Sequence, residues 1–143
     1  MKLVVGSLGT PKTDGVVRVD IVPEWCDVCC DIRKGIPLDA EFDSIECLHV
    51  MEHIQLTEDF VFVMKEFHRL LARGGTLWIE VPHVDTNMAY DCIGHARFFN
   101  ENTFMNFYNN RYAREMGYPV FKLVRKWVGS RNGEKTVDVV LSK

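Results

Sequence analysis

The sequence contains no long hydrophobic run and no cluster of like charge. None of its apolar stretches approaches the roughly 20 residues that cross a bilayer, and the apolar residues after Met1-Lys2 stop at Gly6, with no signal-peptide core. The formal net charge of −3, without any run of Lys and Arg, gives no electrostatic footprint for a nucleic-acid backbone. We therefore expect a cytoplasmic protein without membrane contact, for which nucleic acid is an unfavoured partner.

Cysteine is scarce, and its number is odd, with five residues in the chain. A chain of 143 residues with 47% apolar composition has room for a core without disulfide cross-links. We therefore expect reduced thiols and a single domain over residues 1–143. Cys26, Cys29 and Cys30 resemble half of a zinc site, but no second cysteine pair has ligand spacing. Buried structural thiols are the preferred interpretation, and no metal is predicted.

Short apolar runs precede one well-defined helical pattern. Apolar residues between Thr57 and Arg73 recur at intervals of three and four, which predicts a helix with one buried face. Thr57 is the predicted N-cap, and Gly74-Gly75 the left-handed stop. A strand over 76–81 follows directly, so strand, helix and strand form a right-handed crossover in a parallel sheet. The predicted strands before the helix are Leu3–Val5, Val16–Ile21, Val28–Ile32 and Ile45–Val50.

The last third of the chain has a different pattern. Residues from Phe104 to about Met116 predict a second helix. Tyr118–Val128 and Lys135–Leu141 predict two strands around a loop over 129–133, which is an antiparallel hairpin. The predicted fold class is a Rossmann-like, doubly wound α/β sheet that is mostly parallel and ends in an antiparallel C-terminal hairpin.

The stretch HVMEH, residues 49–53, has two possible meanings. It matches the inverted zinc-peptidase signature, which requires both histidines on one helix. The preceding residues predict a strand, which puts His49 at a strand tip and His53 in the turn beyond it, so zinc would lose its geometry. A third ligand further along remains open, since His68, His83, Glu66 and Glu80 are available. The strand interpretation is preferred.

Several phrases of the sequence resemble one family. The run FDSIECLHVMEHI, followed by FVFVMKEFHRLLARGGTLWIEVPH, is similar to the fourth strand, helix and fifth strand of class I S-adenosylmethionine-dependent methyltransferases. Upstream, VVRVDIVPEWCDVCCDIRKGIPLDAEFD resembles a compact, type 11-like subgroup, as does GHARFFNENTF downstream. The resemblance covers most of residues 2–107 and implies S-adenosylmethionine as cofactor.

The sequence departs from that family near its start. The family's first strand enters a Gly-rich turn and a helix. Here Gly6 and Gly9 are present, but only six residues separate Gly9 from Val16, whereas a crossover helix needs about a dozen. We therefore expect the first helix to be shortened or absent.

The resemblance implies a cofactor site at the carboxyl ends of the strands. Asp20 would accept both ribose hydroxyls, and Asp31 would accept from the adenine amino group; capping a turn and lying on the surface are their respective alternatives. The carbonyl of His49 would face the cofactor's ammonium, while Glu52 would neutralise nearby charge or cap the helix. The implied cofactor-binding residues are Gly6, Ser7, Gly9, Asp20, Ile21, Asp31, Ile32, His49, Val50 and Glu52.

The catalytic candidates are two histidines. His53 is a candidate general base, with a hydrogen-bonded structural histidine as the alternative, and His83 follows the fifth predicted strand. Residues 83–107, which we call the cover segment and which include His95 and Arg97, are expected either to close over the cofactor or to form an anchored surface connection. The expected function is methyl transfer to an unidentified, small or exposed acceptor. The alternative is a non-catalytic cofactor-binding module, and homo-oligomer formation is left open.

Overall fold

The computed structural model describes all residues from 1 to 143. Seven strands form one sheet in the order β3-β2-β1-β4-β5-β7-β6, in which only β7 runs antiparallel to its neighbours. This order confirms the predicted Rossmann-like sheet with its C-terminal hairpin. The strands are β1 (Lys2–Val5), β2 (Val16–Asp20), β3 (Val28–Cys29), β4 (Phe42–Leu48), β5 (Leu71–Pro82), β6 (Lys122–Arg131) and β7 (Glu134–Ser142).

The core lies on one face of this sheet. Leu3 pairs with Ile45, and Val5 with Cys47, so alternate residues of β1 and β4 point to the same side and are buried. Helix α1 (Thr57–Leu70) packs its apolar stripe on that side, with Phe60, Val63, Met64, Phe67 and Leu70 buried. The predicted crossover is therefore present, and it fixes the end of β4 beside that of β5.

Both ends of α1 differ from the prediction. The N-cap is Leu56, which makes no side-chain capping bond, and Thr57 is the first helical residue. The helix ends at Leu70 rather than near Arg73, because β5 already begins at Leu71. Gly74 is left-handed, as predicted, with a φ of 79°. It does not end the helix, however, but belongs to an irregularity in the pairing of β4 with β5.

The connections on the other side of β1 are short. No helix joins β1 to β2, which confirms the expected loss of the first helix. A 3-10 turn over Pro23–Trp25 joins β2 to β3, and another over Ile32–Lys34 follows β3. The buried apolar residues of α1 and of α2 (Met105–Tyr108) belong to one core cluster, so these helices lie on the same face of the sheet.

The C-terminal third corrects two predicted boundaries. The second helix is broken at Asn109, whose ψ of 96° ends α2 and whose side chain caps α3 (Asn110–Glu115). The hairpin turn contains only Asn132 and Gly133, which have φ values of 52° and 82°, as a tight two-residue turn requires. The predicted five-residue loop was wrong because residues 129–131 continue β6. None of the helices has the length and apolar character that a membrane span requires.

Candidate cofactor and acceptor site

A cavity of about 850 Å³ opens at the carboxyl ends of β1, β2 and β4. The chain proceeds from β1 to β2 in one direction and from β4 to β5 in the other, so this is the point where strand order reverses. Open α/β sheets bind ligands at such a point. The lining residues are Val4, Val5, Gly6, Leu8, Gly9, Thr10, Pro11, Val19, Asp20, Ile21, Val22, Trp25, Cys30, Asp31, Ile32, Arg33, Glu46, Leu48, His49, Val50, His53, Ile54 and Arg131.

Gly6 ends β1 at the wall of this cavity. Its φ is 76°, a conformation that side chains other than glycine's rarely adopt. A Cβ at this position would lie 2.3 Å from Cγ2 of Val50 and 3.2 Å from the carbonyl oxygen of Leu48. Two independent constraints thus exclude a side chain here, and the backbone of β1 stays accessible from the cavity.

Asp20 presents its carboxylate at the tip of β2. Its Oδ2 accepts the backbone N–H of Ser7 at 2.8 Å, and its Oδ1 accepts that of Val22 at 3.1 Å. The other two carboxylates of the lining, Asp31 and Glu46, form salt bridges with Arg33 and Lys2, but Asp20 has no cationic partner. Each oxygen of Asp20 keeps a lone pair for a ligand hydroxyl.

The wall beyond β2 is largely apolar. Ile21 and Ile32 line it, together with Trp25 of the Pro23–Trp25 turn, which is 39% exposed. Asp31 lies beside them, but Arg33 engages both of its oxygens, at 2.9 and 2.8 Å, which lowers the pKa of the Asp31 carboxyl. Asp31 Oδ2 accepts only one of these bonds and so keeps a lone pair.

His49 lies between two buried carboxylates at the tip of β4. Its Nε2 is 3.0 Å from Oε1 of Glu80, which also accepts from Arg131. Its Nδ1 is 3.3 Å from Oε1 of Glu52, within ion-pair distance but without the alignment of a hydrogen bond. The interaction with Glu52, reinforced by Glu80, outweighs partial burial and raises the pKa of His49. The backbone of His49 has a φ of 56°.

Glu52 is the most deeply buried acid near the cavity. Its side chain is 1% exposed, and neither carboxylate oxygen has a hydrogen-bond donor. Nε2 of His95 lies 3.9 Å from its Oε1, and its backbone carbonyl accepts from the N–H groups of Ala96 and Arg97. Glu52 does not cap α1, whose first turn carries Glu58 and Asp59 instead.

The two candidate bases have different surroundings. His53 lines the cavity, and its Nδ1 lies 3.2 Å from the carbonyl oxygen of Gly94. His83 is buried away from the cavity, where Nε2 contacts Glu101 at 3.1 Å and Nδ1 accepts the backbone N–H of Asp85 at 3.0 Å. Both nitrogens of His83 therefore have partners in the chain.

The cover segment is anchored beside the cavity instead of across it. Val84 N–H donates to the carbonyl of Phe99 at 2.7 Å, and Phe99 is buried. Arg97 Nε donates to the carbonyl of Ile54 at 2.6 Å, and its guanidinium lies 5.0 Å from the centre of the Phe60 ring. None of residues 83–107 lines the cavity.

Most of the predicted cofactor residues lie in one place. Gly6, Gly9, Asp20, Ile21, Asp31, Ile32, His49 and Val50 all line the cavity. Ser7 and Glu52 do not, since Ser7 is buried and donates through Oγ to the carbonyl of Trp25. Sequence analysis missed Trp25 and Arg131, because nothing in their local pattern relates them to the strand ends.

The HVMEH stretch does not form a peptidase-type site. Residues 51–53 form a 3-10 turn instead of an α-helix, and His49 contacts Glu80 and Glu52. The one group of side chains with metal-ligand spacing contains His53 with Cys92 and His95, and it excludes His49. The side chains of this group come from two separate segments, and no local pattern in the sequence relates the two.

Comparison with known proteins agrees with this geometry. Residues 11–79 match the sequence profile of the family described as "Methyltransferase domain". No curated protein gives a significant match to the sequence. The profile match spans β2 to the middle of β5, including the strand tips that carry Asp20 and His49.

Solved structures share the fold at low sequence identity. The N-methyltransferase NodS from Bradyrhizobium japonicum superposes with a TM-score of 0.67 and 14% identity, over 99% of this chain and 84% of that chain. A S-adenosylmethionine-dependent methyltransferase from Clostridium acetobutylicum gives 0.68 and 11%, over 99% and 82%. The 1,6-didemethyltoxoflavin-N1-methyltransferase of Burkholderia thailandensis, solved with its substrate and S-adenosylhomocysteine, gives 0.67 and 17%, over 99% and 70%.

Proposed function

We propose that this chain is a class I S-adenosylmethionine-dependent methyltransferase, which the profile match over residues 11–79 and the fold support, and that it transfers a methyl group to a small or exposed acceptor. The observation that carries the proposal is the cavity at the reversal of strand order, with Asp20 at its edge as the one lining carboxylate that has no cationic partner. The residues that line the cavity fit the ribose, adenine and methionine parts of the cofactor.

Asp20 is the proposed ribose-binding residue. The N–H groups of Ser7 and Val22 hold its carboxylate in one orientation, so little rotamer entropy is lost when a ligand binds. Two adjacent ribose hydroxyls can donate to its two oxygens in charge-assisted hydrogen bonds. The turn-capping alternative and the ribose role are therefore compatible, because the same carboxylate does both.

The apolar wall is the proposed adenine pocket. Ile21, Ile32 and Trp25 offer flat apolar surface, on which a purine ring can pack. Asp31 Oδ2 retains one lone pair for the adenine amino group, although its salt bridge with Arg33 weakens that contact. We therefore expect Asp31 to contribute less to affinity than Asp20.

The opposite end of the cavity is the proposed place of the methionine part. The exposed backbone at Gly6 and Gly9 allows close approach. The carbonyl of His49 accepts no hydrogen bond within the chain and is available to an ammonium group. Glu52 and Glu80 face Arg131 and His49, and the raised pKa of His49 favours its charged form, so these carboxylates do not face the cofactor without cationic partners.

His53 is the proposed proton acceptor. A backbone carbonyl only accepts hydrogen bonds, so the contact with Gly94 assigns the proton to Nδ1 and leaves Nε2 with a lone pair. His83, whose nitrogens both have partners, is not proposed as a base. Bound cofactor supplies a methyl group already activated on a sulfonium, so the chain's contribution is alignment, exclusion of water and removal of one proton.

A calorimetric titration tests the cofactor site without knowledge of the acceptor. We expect one S-adenosylmethionine or S-adenosylhomocysteine per chain, without added metal. Asp20→Asn removes the charge from both ribose contacts and should weaken binding by about 1.5 to 3 kcal/mol, roughly 10- to 150-fold.

Asp14→Asn is the matched control, because Asp14 lies in the same region but does not line the cavity. Its affinity should equal that of the wild type. An unchanged affinity in Asp20→Asn, with both variants folded, would place the ribose elsewhere.

A non-catalytic cofactor-binding module is the second candidate. The absence of a helix between β1 and β2, which leaves the cavity open, favours it. The two candidate functions differ in the role of His53. Its Nε2 accepts a proton in methyl transfer but has no role if the chain only binds the cofactor. A screen of labelled methyl transfer to small molecules, with His53→Asn as the comparison, separates them.

The remaining expectations are part of the same proposal. We expect a single cofactor-binding domain over residues 1–143 and cytoplasmic location, with nucleic acid as an unfavoured partner. Size-exclusion chromatography with light scattering measures the oligomeric state, which is left open.

A further inference from the structure

Three side chains from two segments meet at the rim of the cavity. His53 ends the 3-10 turn after β4, whereas Cys92 and His95 belong to the cover segment. One ligand atom of each lies within 4.8 Å of those of the other two. The two imidazole rings meet edge to face, with their centres 4.7 Å apart.

The hydrogen bonds of the two histidines define their free nitrogens. Nδ1 of His53 lies 3.2 Å from the carbonyl of Gly94, and Nδ1 of His95 lies 3.3 Å from the carbonyl of Ala89. Since each carbonyl only accepts, the proton of each neutral ring is on Nδ1, and Nε2 carries the lone pair. Metal-bound histidines typically make this contact to a carbonyl with their second nitrogen.

Buried negative charge lies next to this group. Glu52 is 1% exposed and has no aligned hydrogen-bond donor; Nδ1 of His49 lies 3.3 Å from its Oε1, and Nε2 of His95 lies 3.9 Å from the same oxygen. A lone pair and a carboxylate that face each other without a proton between them are unfavourable in a buried place. A cation at the Nε2 side of His95 removes that cost, and this observation is independent of the spacing of the three ligands.

We propose that His53, Cys92 and His95 together bind one divalent cation of the zinc class. Two imidazole nitrogens and a thiolate are ligands that zinc and cobalt prefer over magnesium or calcium. Ligands of a tetrahedral zinc ion are separated by roughly 3.3 to 3.6 Å. The present separations of the three ligand atoms, all within 4.8 Å, exceed this range by at most about 1.5 Å.

Three protein ligands leave the fourth position of the ion open. Because His53 also lines the cavity, this position lies at its rim, where an acceptor with an oxygen, nitrogen or sulfur donor can reach it. The ion and the proton-acceptor role of His53 use the same lone pair, so a bound ion excludes that role. This last consequence rests on the proposed function, whereas metal binding does not.

Cobalt(II) titration of the chelator-treated chain tests the site. We expect one ion per chain, with a thiolate-to-cobalt charge-transfer band and the intense visible bands of a tetrahedral ion, both displaced by one equivalent of zinc. Cys92→Ser should remove the charge-transfer band, and His95→Ala should weaken zinc binding at least tenfold.

Cys29→Ser is the matched control. Cys29 is also an exposed thiol, but it is the last residue of β3, near Cys26 and Cys30, and lies outside the group. The proposal requires that its spectrum equals that of the wild type. Loss of the band in Cys29→Ser, its persistence in Cys92→Ser, or the absence of stoichiometric binding would each overturn the proposal.

Thermal unfolding without metal shows whether each variant is folded. The affinity for S-adenosylhomocysteine, measured separately by calorimetry, shows whether the cofactor site is intact. Failure of the metal site and failure of the proposed function therefore give different results.

Discussion

At Gly6, backbone conformation and packing both exclude a side chain. A φ of 76° disfavours any side chain by about 1 to 2 kcal/mol, and the space where a Cβ would lie is taken by Val50. The close approach of the turn after β4 to the end of β1 brings the two strand tips to one cavity.

Replacing Gly6 by alanine should destabilise the chain more than the same change at Gly15. Gly15 has the same φ of 76°, but no atom lies within 4 Å of its missing Cβ. Gly15→Ala therefore reports the conformational cost alone, and Gly6→Ala adds overpacking of roughly 1 to 3 kcal/mol. Urea unfolding measures both variants. Equal losses of stability would show that Val50 moves aside freely.

His49 makes stability depend on pH. Glu52 and Glu80 raise the pKa of His49 above that of the unfolded chain, so the contribution of His49 is fully present below the unfolded value of about 6.5. It is lost as pH rises through the folded pKa. Arg131 opposes the shift without reversing it.

The comparison of wild type with His49→Asn isolates this contribution. Asparagine tolerates the φ of 56° but carries no charge. We expect the difference in unfolding free energy to be largest below about pH 6.5 and to shrink towards alkaline pH. Urea titrations at a series of pH values measure it. A difference that is constant with pH would contradict the raised pKa.

At the scale of elements, the cover segment is held by its two ends. The bridge between His83 and Phe99 and the contacts of Arg97 with Ile54 anchor it. Between these anchors, Ile93 is fully exposed and Tyr90 is stacked on Phe98 at the surface. These contacts favour an anchored surface connection at His83 and at Arg97–Phe99. Only the residues between these anchors are then free to close over the cavity.

Hydrogen exchange with and without S-adenosylhomocysteine distinguishes a cover from a surface connection. If the segment closes on the ligand, the amides of residues 87, 88 and 92–94, which have no backbone acceptor in the chain, should gain protection because they would leave water. The amides of Ala96 and Arg97, which already donate to Glu52, serve as the internal control and should change little. Unchanged exchange throughout residues 84–97 would exclude the cover.

At the scale of the whole molecule, the cavity is lined by strand ends and turns from both halves of the sheet. A ligand that bridges the tips of β1, β2 and β4 binds only the folded chain, because the unfolded chain has no such arrangement. At a concentration of 100 times its Kd, S-adenosylhomocysteine should therefore stabilise the fold by about 2.7 kcal/mol. Urea unfolding measures this, and adenosine at the same concentration is a control that lacks the methionine part and should stabilise the fold less.

Local pattern predicted the elements better than their ends. The periodicity of residues 57–73 identified α1, because one apolar stripe is a local property. Its ends were predicted less well, since the pairing of Leu71 with Phe42 in the sheet competes with the last helical turn. The break at Asn109 was missed for a similar reason: its capping bond to Tyr112 N–H depends on the backbone that Asn109 itself adopts.

The sequence by itself determined which functional residues stand at the end of each strand: glycines after β1, Asp20 as the last residue of β2, Asp31 after β3 and His49 after β4. These residues follow apolar runs of strand length, and parallel strands necessarily collect such ends at one edge. Only the tertiary structure decided which of them are free. Asp31 is paired with Arg33, His83 with Glu101, and His53 lies beside Cys92 and His95. The pairings of His83 and His53 depend on the path of loops through space, where residues 18 and about 40 positions apart meet, and no local pattern encodes that path.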